Sequence, residues 1–259
     1  ISPKLWAWAK WRVEVVQKYV QKMFVLMPFE VDFYKQYQVD AEYYGNPVMD
    51  SIENFKAGYN QTEDFRKKNK LGEKPIIALL AGSRKQEILH LLPEMLRAAE
   101  SYPDYQFVLA GAPAIPASYY DRFTANRNVH IIYNQTYELL MNSKAAVVTS
   151  GTATLETALL NVPEVVVYKT GATTFFIGNF LVKIKYFSLV NLILEKPAVK
   201  ELLQDNLAVD IKSELDLLLN DANYRAEMLH NFGELRRILG EPGVAKRVAG
   251  RIYSILNNM

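Results

Sequence analysis

The sequence predicts an α/β fold in which an open parallel sheet is covered by helices on both faces. From Ile76 onward, short apolar segments alternate with helical patterns at least four times, joined by short connections. The apolar segments do not alternate with polar residues, which is typical of parallel strands buried on both faces. The stretch Ala145–Val167 shows the unit clearly, because an apolar run, a small-residue turn, a helical pattern and a second apolar run follow one another.

The composition fits one large domain or two small ones. Half of the 259 residues are hydrophobic, which is enough for real cores. The net charge of +2 gives no reason to expect a nucleic-acid partner. The absence of cysteine excludes disulfides and thiolate metal sites, and it fits a reducing compartment. The three histidines lack the spacing of metal ligands, so we expect no metal. We expect no other cofactor.

Four regions are predicted along the chain. Residues 1–52 form a first unit, with strands at Phe24–Met27 and Ala41–Tyr44. Residues 53–74 turn polar and form a linker. Residues 75–239 form the main sheet domain, and residues 240–259 form a final helix.

The main domain is predicted from its apolar and helical patterns. Strands are expected at Ile76–Leu80, Phe107–Ala110, His130–Tyr133, Ala145–Val148 and Val165–Val167. Helices are expected at Gln86–Ser101, Tyr119–Ala125, Thr136–Asn142, Ala153–Leu160, Lys200–Asn206, Ile211–Asn220 and Asn223–Leu239, with the final helix at Gly243–Asn257.

The turn Ser150-Gly151-Thr152 is the strongest candidate site. It joins a buried strand to a helix, so free backbone N–H groups and the positive end of the helix dipole lie at the carboxyl edge of the sheet, where phosphate binds. Ser150 is predicted to cap the helix, and Thr152 to donate to a phosphate oxygen. The turn lacks the Gly-Lys-Ser/Thr ending of a Walker A motif and is not Gly-x-Gly-x-x-Gly, which disfavours ATP hydrolysis and a dinucleotide cofactor.

Glu156 lies one turn into the same helix and has two interpretations. It either favours the helix dipole or accepts both hydroxyls of a ribose. A second turn, Gly82-Ser83-Arg84, also follows a buried strand. Arg84 either offers its guanidinium fork to phosphate or is a solvated side chain in an ordinary turn.

Two segments suit a membrane surface. Among residues 1–22, five basic residues and one acid accompany Trp6, Trp8 and Trp11, although at least one of these rings is expected in the core. The segment Thr173–Ile184 is too short for a membrane span, so it is either an interfacial helix or a helix packed on the sheet.

Eight ordered motifs resemble the lipid-A-disaccharide synthases. They are SPKLWAWAKWR, VLMPFE, FYKQYQVD, YYGNPVMD, LLAGSRKQEI, TSGTATLETALLNVPEVVVYK, FFIGNFLVKIKYFSLVNLI and VKELLQ. The resemblance runs from residue 1 to about residue 240, and the order of the motifs makes it more specific than any one turn.

The resemblance implies a metal-free, inverting transfer of 2,3-diacylglucosamine from its UDP donor to lipid X, giving a β-1′,6-linked disaccharide 1-phosphate and UDP. It also implies the GT-B fold, with a complete C-terminal Rossmann-like domain and a remnant of the N-terminal one. The implied location is the cytoplasmic surface of the inner membrane. Association of copies through the apolar C-terminal helices is left open.

The resemblance assigns roles to residues of this chain. Arg84 and the residues Gly82, Ser83, Ser150, Gly151, Thr152 and Ala153 would hold the diphosphate. Glu156 would hold the ribose, and main chain around Ile132 the uracil. Asn191 would lie at the donor sugar or phosphate. The residues expected at acyl chains or the bilayer are Trp6, Trp8, Phe175, Phe176 and Phe180.

The chain also departs from the family pattern, because further residues normally precede SPKLWAW and supply the general base. We therefore expect a truncated chain in which the base cannot be assigned and which is inactive alone. Two alternatives stay open. One is another GT-B enzyme, either the peptidoglycan glycosyltransferase or a UDP-N-acetylglucosamine epimerase, although those families have a glycine-richer turn. The other is a non-catalytic, membrane-associated module.

Overall fold

The computed structural model describes residues 2–258 apart from 4, 9, 60–63, 126, 170–184 and 204–205, and without the side chains of residues 7, 8 and 10. The described residues contain two parallel sheets. The small sheet pairs β1 (Met23–Val25) with β2 (Ala41–Tyr43). The large sheet has six parallel strands: β3 (Ile76–Leu80), β4 (Gln106–Gly111), β5 (Val129–Tyr133), β6 (Ser143–Thr149), β7 (Glu164–Tyr168) and β8 (Lys200–Leu203).

Helices flank both sheets. Those of the first part are α1 (Leu5–Trp8), a 3₁₀ turn (Lys10–Arg12), α2 (Val13–Tyr19), α3 (Phe29–Lys35), α4 (Pro47–Gly58) and α5 (Phe65–Lys68). Those of the large sheet are α6 (Lys85–Ala99), α7 (Ala117–Thr124), α8 (Thr136–Met141), α9 (Thr152–Leu159), α10 (Leu189–Leu194), α11 (Leu207–Asn220) and α12 (Ala222–Leu239). The last helix is α13 (Val244–Asn257).

The predicted α/β class with a helix-covered parallel sheet is confirmed, and β3 shows why. All five of its residues are buried. Ile77 and Leu79 pack in the larger core beneath α6, α11 and α12, whereas Ile76, Ala78 and Leu80 pack in a smaller core with α5 and α8. A strand between two helical layers needs apolar side chains in both directions, which is why its sequence does not alternate.

The order of the large sheet is β5-β4-β3-β6-β7-β8. The chain first builds outward from β3 through β4 to β5, then returns to the other side of β3 and builds outward through β6, β7 and β8. This is the strand order of a Rossmann fold, and it places a topological switch point between β3 and β6. Ligands of such sheets bind outside the carboxyl ends of the strands at this point.

One predicted element is wrong. Residues 200–206 were expected to form a helix, but Lys200–Leu203 is the edge strand β8, which pairs with Val165–Tyr168 of β7. Pairing with a preformed sheet gives this segment a full set of hydrogen bonds on one side and buries Leu202. Tertiary context therefore overrides its helical propensity.

The predicted linker is more ordered than expected, since α4 extends to Gly58 and α5 lies at Phe65–Lys68. The boundaries at residues 52, 74 and 239 stay predictions. The last helix contacts the first part of the chain: Arg251 forms a two-pronged ion pair with Glu42, at 2.9 Å for both bonds. Arg247 donates to the Tyr44 carbonyl.

Candidate functional site

A cleft of about 600 Å³ opens at the carboxyl ends of β3, β4 and β6. It therefore lies at the switch point of the sheet, where the topology favours a ligand. Its walls include the turn after β3, the turn after β6, and Trp6 from α1. The two turns that the sequence singled out thus line one cleft.

The turn after β6 leads into α9 without a side-chain cap. Gly151 is the N-cap residue, so it has no side chain to accept from the first N–H groups of the helix. The prediction that Ser150 caps α9 is wrong, because Ser150 precedes the N-cap residue and no side chain caps this helix; its Oγ donates to the Phe187 carbonyl at 2.7 Å. Thr152 is exposed and lines the cleft. The start of α9 can therefore accept an anion.

Thr149 adds a signal that sequence reasoning missed. This last residue of β6 is only 6% exposed, and its hydroxyl has no hydrogen-bond partner among the described residues. It lines the cleft directly before the anion-binding turn. Buried polar atoms are rarely left unpaired, but this hydroxyl is itself shielded from the cleft, so a ligand group reaches it only after neighbouring side chains shift. A threonine at the end of an apolar strand could have drawn attention to this position.

Glu156 is held by a neighbouring helix. The hydroxyl of Tyr137 on α8 donates to its Oε1 at 2.7 Å. Burial, and next the bond to the Glu156 carboxylate, raise the pKa of Tyr137. Tyr137 thus remains a proton donor at neutral pH. Glu156 lines the cleft, and its second oxygen has no hydrogen bond within the described part of the chain.

The turn after β3 differs from the expectation of an open anion site. Gly82 has a φ of +95°, and a Cβ there would overlap the Glu87 carboxylate, so both the conformation and the space require glycine. Glu87 accepts the N–H groups of Ser83 and Arg84 at 3.0 and 3.2 Å, and it pairs with the Arg84 guanidinium at 2.8 Å.

Glu87 therefore occupies the donors that were predicted to meet phosphate. It stands at the third position after the N-cap of α6, so the capping-box pattern could have predicted its bonds. The guanidinium of Arg84 is largely exposed, and an exposed ion pair of this kind is weak. An incoming anion can consequently exchange with Glu87.

Two predicted site residues are buried and do not line the cleft. Asn191 is 1% exposed: its amide nitrogen donates to Val199 O and Glu201 Oε1, and its amide oxygen accepts from Val199 N. Direct contact with a ligand would require some of these bonds to break. Ile132 is buried in the smaller core, so only its main chain is available for the predicted role. Both roles stay predictions.

The aromatic residues predicted at the membrane have different outcomes. Trp6 lines the cleft and its indole donates to Glu30, so its predicted contact with acyl chains or the bilayer stays a prediction. The side chain of Trp8 and residues Phe175, Phe176 and Phe180 lie outside the described residues. In the described part of the chain, no helix is both long and apolar enough to cross a bilayer.

Comparison with solved structures identifies the class. A putative UDP-N-acetylglucosamine 2-epimerase from Listeria monocytogenes has a TM-score of 0.62 and 18% identity, over 91% of this chain and 59% of its own. CalG4, the calicheamicin glycosyltransferase, has a TM-score of 0.51 and 17% identity, over 88% of this chain and 60% of its own. The fold is therefore that of the GT-B glycosyltransferases and epimerases.

Sequence comparison assigns the chain to one family within this class. The family model described as lipid-A-disaccharide synthetase matches residues 1–246, and the chain belongs to that family. Lipid-A-disaccharide synthase from Syntrophus aciditrophicus (strain SB) is 36% identical over 257 residues, 96% of this chain and 66% of the relative. The protein of that name from Myxococcus xanthus (strain DK1622) is 36% identical over 264 residues, 99% of this chain and 68% of the relative. The chain spans about two thirds of the length of these relatives.

Proposed function

We propose that the cleft binds the UDP part of UDP-2,3-diacylglucosamine and that the chain acts in the synthesis of the lipid A disaccharide, with lipid X as the acceptor. The observation that carries this proposal is the uncapped start of α9, which lines the cleft at the switch point of the sheet. Free N–H groups at a helix start favour an anionic ligand at this position. Membership of the lipid-A-disaccharide synthetase family supports the choice of ligand.

Each part of the cleft has a proposed role. The first N–H groups of α9 and the Thr152 hydroxyl hold the diphosphate, and Glu156 accepts a ribose hydroxyl through the oxygen that Tyr137 leaves open. Arg84 joins the diphosphate after exchanging Glu87 for a phosphate oxygen. These donors would stabilise the negative charge that develops on the leaving UDP, which is the principal contribution of an ordered polar site.

Titration calorimetry with UDP tests this proposal. We expect the 259-residue chain to bind UDP and the Glu156→Gln variant to bind it about tenfold more weakly, because one charge-assisted hydrogen bond is lost. Glutamine still offers an acceptor to Tyr137, so the fold around the site is retained. Arg84→Ala is expected to weaken binding by about the same factor.

Two control variants separate site effects from general charge effects. Glu138 lies on α8 and lines a different cavity, so Glu138→Gln is the first control. Arg127→Ala pairs on the surface with Glu100, away from the cleft. Both are expected to bind UDP like the unmodified chain. No UDP binding by a folded chain, or equal losses in the site and control variants, would reject the assignment.

A further inference from the structure

One residue from the first part of the chain, Trp6, lines the cleft. It belongs to α1, far in sequence from the turns after β3 and β6, yet it lines the same cleft as Gly82 and Thr152. The indole is partly buried. A ligand held at the start of α9 therefore shares its cavity with one large aromatic ring from the first part of the chain.

A buried carboxylate fixes the position of this ring. Glu30 is 2% exposed, and its Oε1 accepts from Trp6 Nε1 at 3.2 Å and from Ser2 Oγ at 3.0 Å. Its Oε2 accepts the N–H groups of Leu26 and Met27, both at 2.9 Å. Both carboxylate oxygens are thus used to tie the segment before α1 to the end of β1.

A neighbouring ring limits the orientation of the indole further. Phe29 packs against Trp6 at a centroid distance of 5.0 Å and an interplanar angle of 88°. This edge-to-face arrangement is a favoured geometry for aromatic pairs. The ring is consequently held from two sides, by a hydrogen bond at its nitrogen and by an aromatic contact.

The chemistry of the indole decides what it can bind. Its only hydrogen-bond donor is already bound to Glu30, so it offers the cleft an apolar aromatic surface. A pyranose ring has an apolar C–H surface that can stack on such a ring. Ligand pockets commonly combine aromatic walls with a few well-placed polar groups in this way.

We propose that Trp6 is the platform on which the pyranose ring of a hexosamine stacks in this cleft, with Glu30 as a positioning residue. This inference rests on the proposed function and adds a sugar subsite to it. The hexosamine has two sources, the sugar of the UDP donor and the sugar 1-phosphate acceptor. Stacking on a fixed ring is the shared chemistry of both.

Calorimetry with three ligands tests the platform: UDP, UDP-N-acetylglucosamine as a water-soluble nucleotide sugar, and N-acetylglucosamine 1-phosphate. Trp6→Ala is expected to weaken binding of the sugar-bearing ligands about tenfold and to leave UDP binding within twofold. Trp6→Phe keeps an aromatic surface and is expected to restore most of the loss. Glu30→Gln is expected to cause a smaller loss, again confined to the sugar-bearing ligands.

The matched control is Trp11→Ala, because Trp11 is 72% exposed and lies outside the cleft. A loss confined to UDP-N-acetylglucosamine would place the donor sugar on Trp6, and a loss confined to the sugar phosphate would place the acceptor there. Unchanged sugar binding, or an equal loss of UDP binding, would contradict the stacking role of Trp6 without contradicting the proposed UDP site. Absence of UDP binding in the unmodified chain would overturn the proposed function, and the platform with it.

Discussion

Replacing Glu164 with leucine is expected to raise the free energy of unfolding by about 1–3 kcal/mol at pH 5 and by more at pH 8. Glu164 is the first residue of β7 and is 0% exposed. Neither of its carboxylate oxygens has a hydrogen-bond partner among the described residues. A buried polar group without a partner destabilises the native state, and leucine of similar size removes the polar atoms.

The pH dependence of this effect has a definite sign. Burial raises the pKa of Glu164 well above its usual value, so the native state keeps a proton that the unfolded chain releases. The stability contribution of this group is complete below the usual glutamate pKa of about 4.3 and is lost as the pH rises toward the raised pKa. The expected slope is about 1.4 kcal/mol per pH unit in that window.

Urea unfolding at pH 5 and pH 8 measures the slope. Glu164→Gln retains the shape but cannot ionise, so we expect the loss of stability between the two pH values to shrink in this variant. The exposed Glu73→Gln serves as the control and is expected to behave like the unmodified chain. Identical pH dependence in Glu164→Gln and the unmodified chain would show that Glu164 finds a partner in solution.

Replacing Asp50 with alanine is expected to lower the free energy of unfolding by about 2–3 kcal/mol at pH 7. Asp50 lies on α4, yet its carboxylate accepts the N–H groups of Gly243, Val244 and Ala245 at 2.6, 3.0 and 2.9 Å. Gly243 is the N-cap residue of α13 and provides no side-chain cap of its own. Asp50 therefore supplies the cap for the last helix from another part of the chain.

The pKa of Asp50 reflects the same contacts. Burial alone would raise it, but the three backbone hydrogen bonds and the charge of Arg247 outweigh burial and lower the pKa. The stabilisation is thus complete above the usual aspartate pKa of about 3.9 and is lost as the pH falls through the lowered value. Acid is expected to loosen α13 for this reason.

Urea unfolding, combined with hydrogen exchange of the α13 amides, measures this prediction. Asp50→Asn retains an acceptor without the charge, so we expect an intermediate loss of stability. The exposed Asp104→Ala is the control. A loss below about 0.5 kcal/mol in Asp50→Ala, with unchanged exchange in α13, would show that the cap contributes little.

The large sheet was predictable because local sequence and burial agree there. β3 is apolar throughout, β6 is apolar from Ala145 to Val148, and a small-residue turn follows each strand. Parallel strands in one sheet bring such turns to a common edge, so the joint location of Gly82 and Gly151 followed from topology alone. The family motifs then predicted which ligand binds at that edge.

The features that the sequence did not predict depend on contacts between residues that are far apart in the chain. β8 is a strand only because β7 is available to pair with it. Ser150 does not cap α9 because the helix begins one residue later, with Gly151 as its N-cap, and the Ser150 hydroxyl instead donates to the distant Phe187 carbonyl. Trp6 lies in the cleft because Glu30 accepts its N–H. Sequence patterns over short windows cannot predict these contacts, because the partners are far apart in the chain.

The most direct test of nucleotide binding in the cleft is a ¹H–¹⁵N NMR titration of the isotopically labelled chain with UDP. If the start of α9 holds the diphosphate, the backbone amides of Gly151, Thr152 and Ala153 will show the largest saturable shifts, and those of α13 will stay in place. No saturable shift, or shifts confined to the separate cavity lined by Asn54 and Gln135, would contradict the proposed site.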